Sequence, residues 1–199
     1  MLDNRDLMRM YWRSTFLLGS FNFERMQAMG FCYTLMPAIR KFYRDDKSAQ
    51  AAALKRHLEF YNTHPWVSSV VFGVTAAMEE QKAKGEEISE ETITSVKVGL
   101  MGPLAGVGDP IFWGTARPVL AALGASLALN GSIVGPLLFF VGINLLRVLT
   151  RWYGLKFGYE RGTEMVTEVG GGQLKKITQM AAIMGLFVMG ALVSQWTKI

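Results

Sequence analysis

Residues 118–146 read PVLAALGASLALNGSIVGPLLFFVGINLL and contain no charged side chain. This run is longer than the roughly 20 apolar residues that a helix needs to cross a bilayer. Extending the run back to residue 98 adds only two ionisable side chains, Asp109 and Arg117. The stretch therefore predicts membrane-embedded helices, and it argues against a purely soluble or a disordered protein.

The overall composition narrows the functional classes further. The chain has 199 residues and a formal net charge of +5, and its positive charges flank apolar segments instead of forming a basic tail. This pattern is typical of cytoplasmic loops, so we predict a cytoplasmic N-terminus and no nucleic-acid ligand. Cys32 is the only cysteine, which excludes an intrachain disulfide. Since no group of His, Cys and acidic residues has metal-ligand spacing, we predict neither a metal nor a cofactor.

Alternating polar and apolar segments divide the chain into three predicted parts. Residues 1–66 predict amphipathic, interfacial and cytoplasmic helices, although a core helix of a soluble domain gives a similar pattern. Residues 67–149 predict a membrane core with a solvated acidic helical tip at 79–92 and a hairpin broken by glycine and proline. Residues 150–199 predict a basic helix followed by a last transmembrane span.

That third part carries both a packing signal and the clearest single span. Gly154, Gly158 and Gly162 recur every four residues, and such a stripe of small residues favours close helix packing. The predicted span covers 177–196 and is flanked by lysines. The predicted fold class is thus an all-α, polytopic integral membrane protein with amphipathic N-terminal helices and broken or re-entrant helices.

Residues 99–118 are the most unusual part of the predicted membrane core. They are apolar, yet they contain five glycines and three prolines, which an uninterrupted helix tolerates poorly. Broken backbone at membrane depth is stable where it is buried in protein or lines a water-filled cavity, and transporters build binding sites from such helices. The glycine spacing matches neither a phosphate-binding loop nor a dinucleotide-binding fingerprint. We therefore predict a broken helix near a transport site.

Asp109 and Arg117 are candidate functional residues because an ionisable side chain within a membrane segment is expensive. Two structural roles compete with this hypothesis. Asp109 could cap the helix that begins at Pro110, and Arg117 could anchor the helix at an interface. Both alternatives stay open on the residues alone.

The two histidines offer no convincing phosphoryl acceptor. A phosphoryl carrier needs an accessible imidazole. His57 lies in a polar helical segment and is predicted to be solvated, whereas His64 lies in the Asn-Thr-His-Pro break at 62–65, where a structural hydrogen bond is expected. We predict no catalytic residue.

The order of four segments resembles a known family. They are NTHP at 62–65, GVTAAMEE at 73–80, VGLMGPLAGVGDPIFWGTARP at 98–118 and WYGLKFGYERG at 152–162. Together they resemble the IID membrane subunit of the mannose-family (mannose/fructose/sorbose) phosphoenolpyruvate-dependent sugar phosphotransferase system, over essentially the whole chain.

The resemblance implies a place in the bacterial cytoplasmic (inner) membrane and a set of partners. A IIC membrane subunit would pair with this chain, and the pairs would form a trimer in the lipid bilayer. The complex would move a hexose of the mannose or glucose type inward, while cytoplasmic IIA and IIB, which carry the phosphohistidines, phosphorylate it. The resemblance also implies that bacteriocins or phage components use some members as receptors. Because members continue past the equivalent of Ile199, we expect this chain to be truncated at its C-terminus.

Within this scheme, residues 99–118 are expected to lie near the translocation path. Asp109 would accept hydrogen bonds from sugar hydroxyls or fix a partner loop, and Trp113 would stack on a sugar face. Alternatively, the glycines let IIC approach closely and the sugar touches IIC alone. The candidate residues for the path or the IIC interface are Asp109, Trp113, Arg117, Gly102, Gly106, Gly108, Pro110 and His64.

Two other functional classes remain as alternatives. A membrane-embedded enzyme could use Asp109 and Arg117 on a lipid-linked phosphate, and it would be active without other subunits. A non-transporting scaffold or receptor subunit would leave sugar uptake unchanged when it is removed.

Overall fold

The computed structural model describes residues 1–162, 164, 179–180, 183, 186–187 and 190. Within these residues the regular secondary structure is helical, with isolated β-bridges that join Met26 to Asn22 and to Tyr61. The predicted all-α class is therefore confirmed. The predicted span at 177–196 lies almost wholly outside the described residues.

The described chain is a succession of α-helices. They are α1 (Asn4–Arg13), α2 (Ala28–Phe42), α3 (Lys47–Arg56), α4 (Ser68–Ala83), α5 (Glu90–Gly108), α6 (Arg117–Leu129) and α7 (Val134–Arg161). A 3-10 turn at Ser14–Phe16 follows α1, and a π-helical segment at Asp109–Ala116 joins α5 to α6. Helical backbone thus covers Glu90–Leu129, and this stretch and α7 are long and apolar enough to cross a membrane.

Contacts within the chain define two compact units. Unit 1 contains Met1–Leu104 and the described residues of the segment that begins at Thr150, whereas unit 2 contains Ala105–Leu149 and the later described residues. The predicted division at residues 66 and 149 follows composition instead of contacts, and it stays a prediction.

Helix α1 begins with a reciprocal cap at its N-terminus. The Asp3 carboxylate accepts hydrogen bonds from the backbone N–H groups of Arg5 (2.8 Å) and Asp6 (2.9 Å), and the Asp6 carboxylate accepts one from Asp3 N–H (3.3 Å). One face of α1, including Leu7 and Met10, is buried in unit 1 against α2. The opposite face is exposed, and its location at a membrane interface stays a prediction.

Helix α4 forms the centre of unit 1. Its side chains are buried on every side, with Val71, Val74 and Ala76 fully inaccessible and Phe72 and Met78 1% exposed. A helix that is apolar all round belongs in a core, which explains why this segment shows little amphipathic pattern. The apolar residues before the acidic tip, which the sequence analysis assigns to the membrane core, therefore form a buried helix of unit 1.

Glycines allow α7 to cross α4 at close range within unit 1. A Cβ on Gly73 would collide with the backbone of Leu155 and Tyr159, and a Cβ on Gly158 would collide with the backbone of Val70. A Cβ on Gly154 would meet the Ser69 hydroxyl. Gly162 has a different role, because its φ of +53° and its N–H bond to the Gly158 carbonyl (2.9 Å) end α7 in the left-handed conformation.

Unit 2 contains a helical hairpin formed by α6 and the first part of α7. Its turn lies at Asn130-Gly131, a dipeptide typical of turns, and Gly131 has a φ of +76°, which side chains rarely adopt. A Cβ on Gly124 would lie 2.9 Å from the Gly135 carbonyl oxygen and 3.2 Å from the Cβ of Phe139. The two helices therefore pack through their glycines.

The glycine- and proline-rich residues 99–118 differ from the predicted break, because they keep helical backbone throughout. The irregularity takes the form of the π-helical segment, which has Pro110 in its first turn and is followed by Pro118. A wider turn relieves the clash of a proline ring with the preceding turn, so the chain accommodates these prolines without leaving the helix. The Thr115 hydroxyl donates to the Pro110 carbonyl (2.8 Å) and supports the wide turn.

Candidate functional site

Three exposed side chains mark the π-helical segment and its end in unit 2. Asp109 begins the segment, Trp113 lies about one turn later, and Arg117 begins α6. The Arg117 guanidinium lies 5.3 Å from the centre of the Trp113 ring, so the two side chains stack. We call these residues the Asp109 row. It presents a carboxylate, an aromatic face and a guanidinium outside the packed core of unit 2.

The competing capping role of Asp109 has no geometric support. Gly108 occupies the cap position of the π-helical segment, and no side chain caps it. Within the described residues, the Asp109 carboxylate accepts no hydrogen bond. A π-helical turn inside a membrane helix is frequently associated with function, which keeps the Asp109 row as the candidate site.

The smaller candidate residues surround this segment along the chain. A Cβ on Gly102 or on Gly106 would meet nothing within 4 Å, so the described chain itself does not require glycine there. Gly108 is buried, whereas Pro110 is partly exposed in the first turn of the π-helical segment. The open space at Gly102 and Gly106 is available to a group from outside the described chain.

Unit 1 contains a buried polar cluster around Glu79 that the sequence pattern did not predict. The Glu79 carboxylate accepts hydrogen bonds from Arg56 Nε (2.7 Å) and Nη2 (2.9 Å), His57 Nε2 (2.8 Å) and the Tyr43 hydroxyl (2.7 Å). Arg56 also reaches the half-exposed Glu90 through Nη1 (2.8 Å). We call the first four residues the Glu79 cluster, and it joins α3 and α4 to the end of α2.

The Glu79 cluster corrects two predictions. His57 is 1% exposed instead of solvated, and Glu79 and Glu80 are buried at the end of α4 instead of lying in a solvated tip. The reason is that each buried group has a partner from a distant part of the sequence, and a paired charge can be buried. Glu79 and Glu80 stand together at the end of an apolar helix, and this position is the sequence signal from which their burial could have been predicted.

Burial and pairing set the ionisation of the Glu79 cluster. Burial alone would raise the pKa of Glu79, but the hydrogen bonds from Arg56 and His57 and the charge of Arg56 lower it to about 2. Burial lowers the pKa of His57, despite the opposing effect of Glu79. A neutral His57 that donates through Nε2 agrees with its buried Nδ1, which has no hydrogen-bond partner in the described chain.

His64 lies in a loop that is tied to unit 1 at several points. The Gln27 side chain donates to the Thr63 carbonyl (2.8 Å) and accepts from the Thr63 N–H (3.3 Å), while the Thr63 hydroxyl donates to the Met101 carbonyl (2.7 Å). His64 is 2% exposed, and its Nδ1 accepts from Trp66 N–H (3.3 Å). Burial lowers the pKa of His64 to about 4. This imidazole therefore belongs to the packed loop and is closed to a large phosphoryl donor.

Comparisons with known proteins agree over the whole chain. Residues 1–199 match the EIID-AGA family, the PTS system mannose/fructose/sorbose family IID component. The chain is 58% identical to the fructose permease IID component of Bacillus subtilis (strain 168), covering 100% of this chain and 72% of that one. It is 56% identical to the mannose-specific EIID component of Escherichia coli (strain K12), covering 100% and 70%. The sorbose-specific EIID component of Klebsiella pneumoniae is also 56% identical, covering 98% and 70%.

Solved structures show the same similarity in three dimensions. The cryo-EM structure of the mannose transporter ManYZ in complex with microcin E492 (MceA) contains a chain 56% identical to this one, with a TM-score of 0.80, covering 98% of this chain and 72% of that one. A further structure, described as that of a membrane protein, has a TM-score of 0.91 at 56% identity, covering 98% and 71%.

The family match, the relatives and the two long apolar helices point to one conclusion. The resemblance carried by the four sequence segments is confirmed, and so is a location in the membrane. This chain belongs to the IID component family of the mannose/fructose/sorbose phosphotransferase systems, and it is the IID component of a mannose-family sugar transporter.

Proposed function

We propose that this chain pairs with a IIC subunit to move a hexose of the mannose or glucose type inward, coupled to its phosphorylation by cytoplasmic IIA and IIB. The observation that carries the proposal is the identity of 56–58% to IID components across the whole chain. These relatives are named for mannose, fructose and sorbose at nearly equal identity, so the choice of sugar within this group is part of the proposal. The burial of both imidazoles favours phosphoryl carriage by IIA and IIB.

The experiment is reconstitution of the chain with its IIC subunit in proteoliposomes. We expect phosphorylated sugar to accumulate inside only when IIA, IIB and a phosphohistidine donor that phosphorylates IIA are supplied on the cytoplasmic side. Uptake that persists without this chain would support a non-transporting scaffold instead. Turnover of a polyprenyl phosphate by the purified chain alone would support the membrane-embedded enzyme.

We assign the Asp109 row to the IIC interface or to the edge of the translocation path, together with the open glycines Gly102 and Gly106. The support is their exposure outside the packed core and the chemistry of the row, which suits sugar hydroxyls and a ring face. Asp109→Asn and Trp113→Ala test this role by sugar uptake and by co-purification with IIC. Uptake lost with normal co-purification supports the path, and reduced co-purification supports the interface. Normal values for both variants would contradict both roles.

The orientation and the stoichiometry of the complex belong to the same proposal. We place the N-terminus in the cytoplasm, because positive charges flank the apolar segments as they do in cytoplasmic loops. The proposed trimer of IIC–IID pairs rests on membership of the IID family alone. Phe23 is 92% exposed and Cys32 is buried, so Phe23→Cys provides a single accessible thiol. A membrane-impermeant maleimide should label it only in permeabilised cells. Labelling in intact cells would reverse the orientation, and the mass of the purified complex tests the trimer.

A receptor role is the second candidate function. A chain 56% identical to this one occurs in the complex of ManYZ with microcin E492, and this observation favours recognition of a microcin-type bacteriocin here. Cells that lack their own mannose transporter should become sensitive to the microcin when they produce this chain with IIC. Full resistance despite normal sugar uptake would contradict the receptor role.

A further inference from the structure

A pocket on the surface of unit 1 borders the Glu79 cluster and has no assigned role. It has a volume of about 680 Å³, and Arg56 of the cluster forms part of its wall. This volume lies within the range of about 300–1,000 Å³ that is typical of small-molecule pockets. We call it the Arg56 pocket, and its further lining includes Arg25, Lys55, Leu58, Glu59, Phe60 and Glu90.

The Arg56 guanidinium combines burial with unused hydrogen-bonding capacity. Its side chain is only 5% exposed. Nε and Nη2 donate to Glu79, and Nη1 donates to Glu90 (2.8 Å). Because a guanidinium has five N–H groups, two of them lack an acceptor within the described residues. A buried donor without an acceptor costs free energy, and an anion satisfies such a donor with a strong, charge-assisted hydrogen bond.

Two further cations line the Arg56 pocket, and the chain does little to compensate them. Lys55 is exposed, and within the part of the chain that the structure describes it forms no ion pair. Arg25 Nε lies 3.5 Å from a carboxylate oxygen of Glu24, whose side chain is 80% exposed, and surface pairs of this kind contribute little. Together with Arg56, these residues bring three positive charges to one pocket.

The carboxylates of the pocket leave this positive charge in excess. Glu59 and Glu90 offset two of the three cations, so the lining keeps a net charge of +1. Glu90 is 52% exposed and lies in the first turn of α5, so its side chain has solvent into which it can turn. An anion from outside could therefore take the place of Glu90 at Arg56 Nη1, which would raise the charge that faces it.

We propose that the Arg56 pocket binds the phosphate group of a phosphate monoester, either a small soluble molecule or the headgroup of phosphatidic acid. The phosphate replaces Glu90 at Arg56 and accepts hydrogen bonds from Lys55 and Arg25. Its three acceptor oxygens and its charge of about −2 suit three cations better than a carboxylate does. Since the pocket is larger than a phosphate ion, Phe60, which is 49% exposed, provides apolar contact for the rest of the ligand.

The test measures the Kd of inorganic phosphate and of glycerol 3-phosphate for the purified complex with IIC, by isothermal titration calorimetry. Arg25→Gln and Lys55→Gln should each raise the Kd about tenfold, because each removes a charge-assisted hydrogen bond to the phosphate. Glu90→Gln should lower the Kd by up to about fivefold, because the competing carboxylate is lost. Arg56 is left unchanged, since its loss would bury Glu79 without its main partner.

Nanodiscs identify the source of the phosphate. Enrichment of phosphatidic acid over phosphatidylcholine around the complex, which Lys55→Gln abolishes, supports the lipid headgroup. Binding of glycerol 3-phosphate to the complex in phosphatidylcholine alone supports a small soluble ligand. A complex that binds neither soluble phosphate and shows no preference for phosphatidic acid would overturn the proposal.

Matched controls come from the same unit. Arg44→Gln and Lys47→Gln remove exposed cations outside the Arg56 pocket, and the Kd should stay at the wild-type value. An equal rise in Kd for the controls and for the pocket variants would indicate diffuse attraction of anions and would overturn the site. The wild-type Kd in both Arg25→Gln and Lys55→Gln would overturn it as well. Sugar uptake is a separate measurement, so neither result touches the proposed function.

Discussion

The Glu79 cluster and the Asp109 row treat ionisable side chains in opposite ways. In unit 1, Glu79 is fully surrounded and accepts hydrogen bonds from three residues of the same chain. In unit 2, Asp109 and Arg117 lie exposed on a helical stretch in whose most apolar part only 11% of the residues are buried by the chain. The Glu79 cluster pairs its buried charges within the chain, whereas the Asp109 row leaves its charges exposed to lipid, a partner or a substrate. The comparison separates residues that build the fold from residues that are available for function.

The glycines of the two units also differ in whether the chain packs against them. Gly73 and Gly158 are required in unit 1 because backbone from another helix occupies the place of a side chain. Gly106 in unit 2 faces open space in the described chain. Contacts within this chain explain a packed glycine. They do not explain an open glycine, which leaves room for the close approach of another helix.

The largest expected effect is the loss of the Glu79 carboxylate. Glu79→Ala leaves the Arg56 guanidinium buried without its main partner, which should lower the free energy of unfolding by about 3–5 kcal/mol. The melting temperature of the purified complex measures this loss. Glu90→Gln is the matched control, because Glu90 is 52% exposed and its pairing with Arg56 should contribute less than about 1 kcal/mol. Equal melting temperatures for the two variants would contradict the structural role of the cluster.

Acid pH should weaken unit 1 in two stages. The pKa of His64 falls from 6.5 to about 4 on folding, so its contribution to stability is complete above pH 6.5 and is lost as the pH falls through 4. The pKa of Glu79 falls from 4.5 to about 2, so its contribution is lost between those values. The melting temperature should therefore drop from pH 6.5 downwards, and His64→Gln should make the first stage smaller, while the buried His57, whose pKa is also lowered, accounts for the rest of it. A wild-type melting temperature that is constant from pH 7 to 4 would contradict this prediction.

Adding one methyl group should have opposite effects on stability at a packed glycine of unit 1 and at an open glycine of unit 2. Gly158→Ala places a Cβ against the Val70 backbone and should destabilise the protein by about 1–3 kcal/mol. Gly106→Ala removes a flexible residue from a helix without a clash, so it should stabilise the isolated chain by up to about 1 kcal/mol. Thermal unfolding of both variants decides the point. A larger loss for Gly106→Ala would show that its open face is occupied.

The smallest expected effect on stability comes from the Asp109 row itself. Trp113 is 38% exposed, and Trp113→Ala removes its stacking with Arg117, which contributes about 1 kcal/mol or less, together with the contacts of the buried part of its ring. We therefore expect a smaller fall in melting temperature for this variant than for Glu79→Ala, in contrast to its effect on uptake or assembly. Strong destabilisation would show that Trp113, like Glu79, is needed to build the fold.

Local chemistry made much of the fold predictable. The Asn-Thr-His-Pro break, the Asn130-Gly131 turn and the long apolar stretches depend on backbone preferences and length, which neighbouring residues determine. The Gly154 and Gly158 spacing indicated a close helix approach for the same reason. The similarity to IID components added the function, which these local signals do not contain.

Long-range pairing explains what the sequence pattern missed. His57 and Glu79 are 22 residues apart, and neither periodicity nor composition indicates that they share a buried hydrogen bond. The sequence pattern also did not predict the surface groove lined by Glu59, Asn62 and Met101, because α5 supplies one of its walls from about 40 residues further along the chain. The continuous helix at 99–118 was missed because proline rules for α-helices do not describe a π-helical turn.

The Gln27 amide has a consequence for the energetics of folding. By bonding both the N–H and the carbonyl of Thr63, this side chain replaces a neighbouring strand and holds the loop in one conformation. Buried backbone groups without a partner cost free energy, and irregular loops have no helix or sheet to pair them. A single side chain from the beginning of α2 therefore allows this loop to be buried without regular secondary structure.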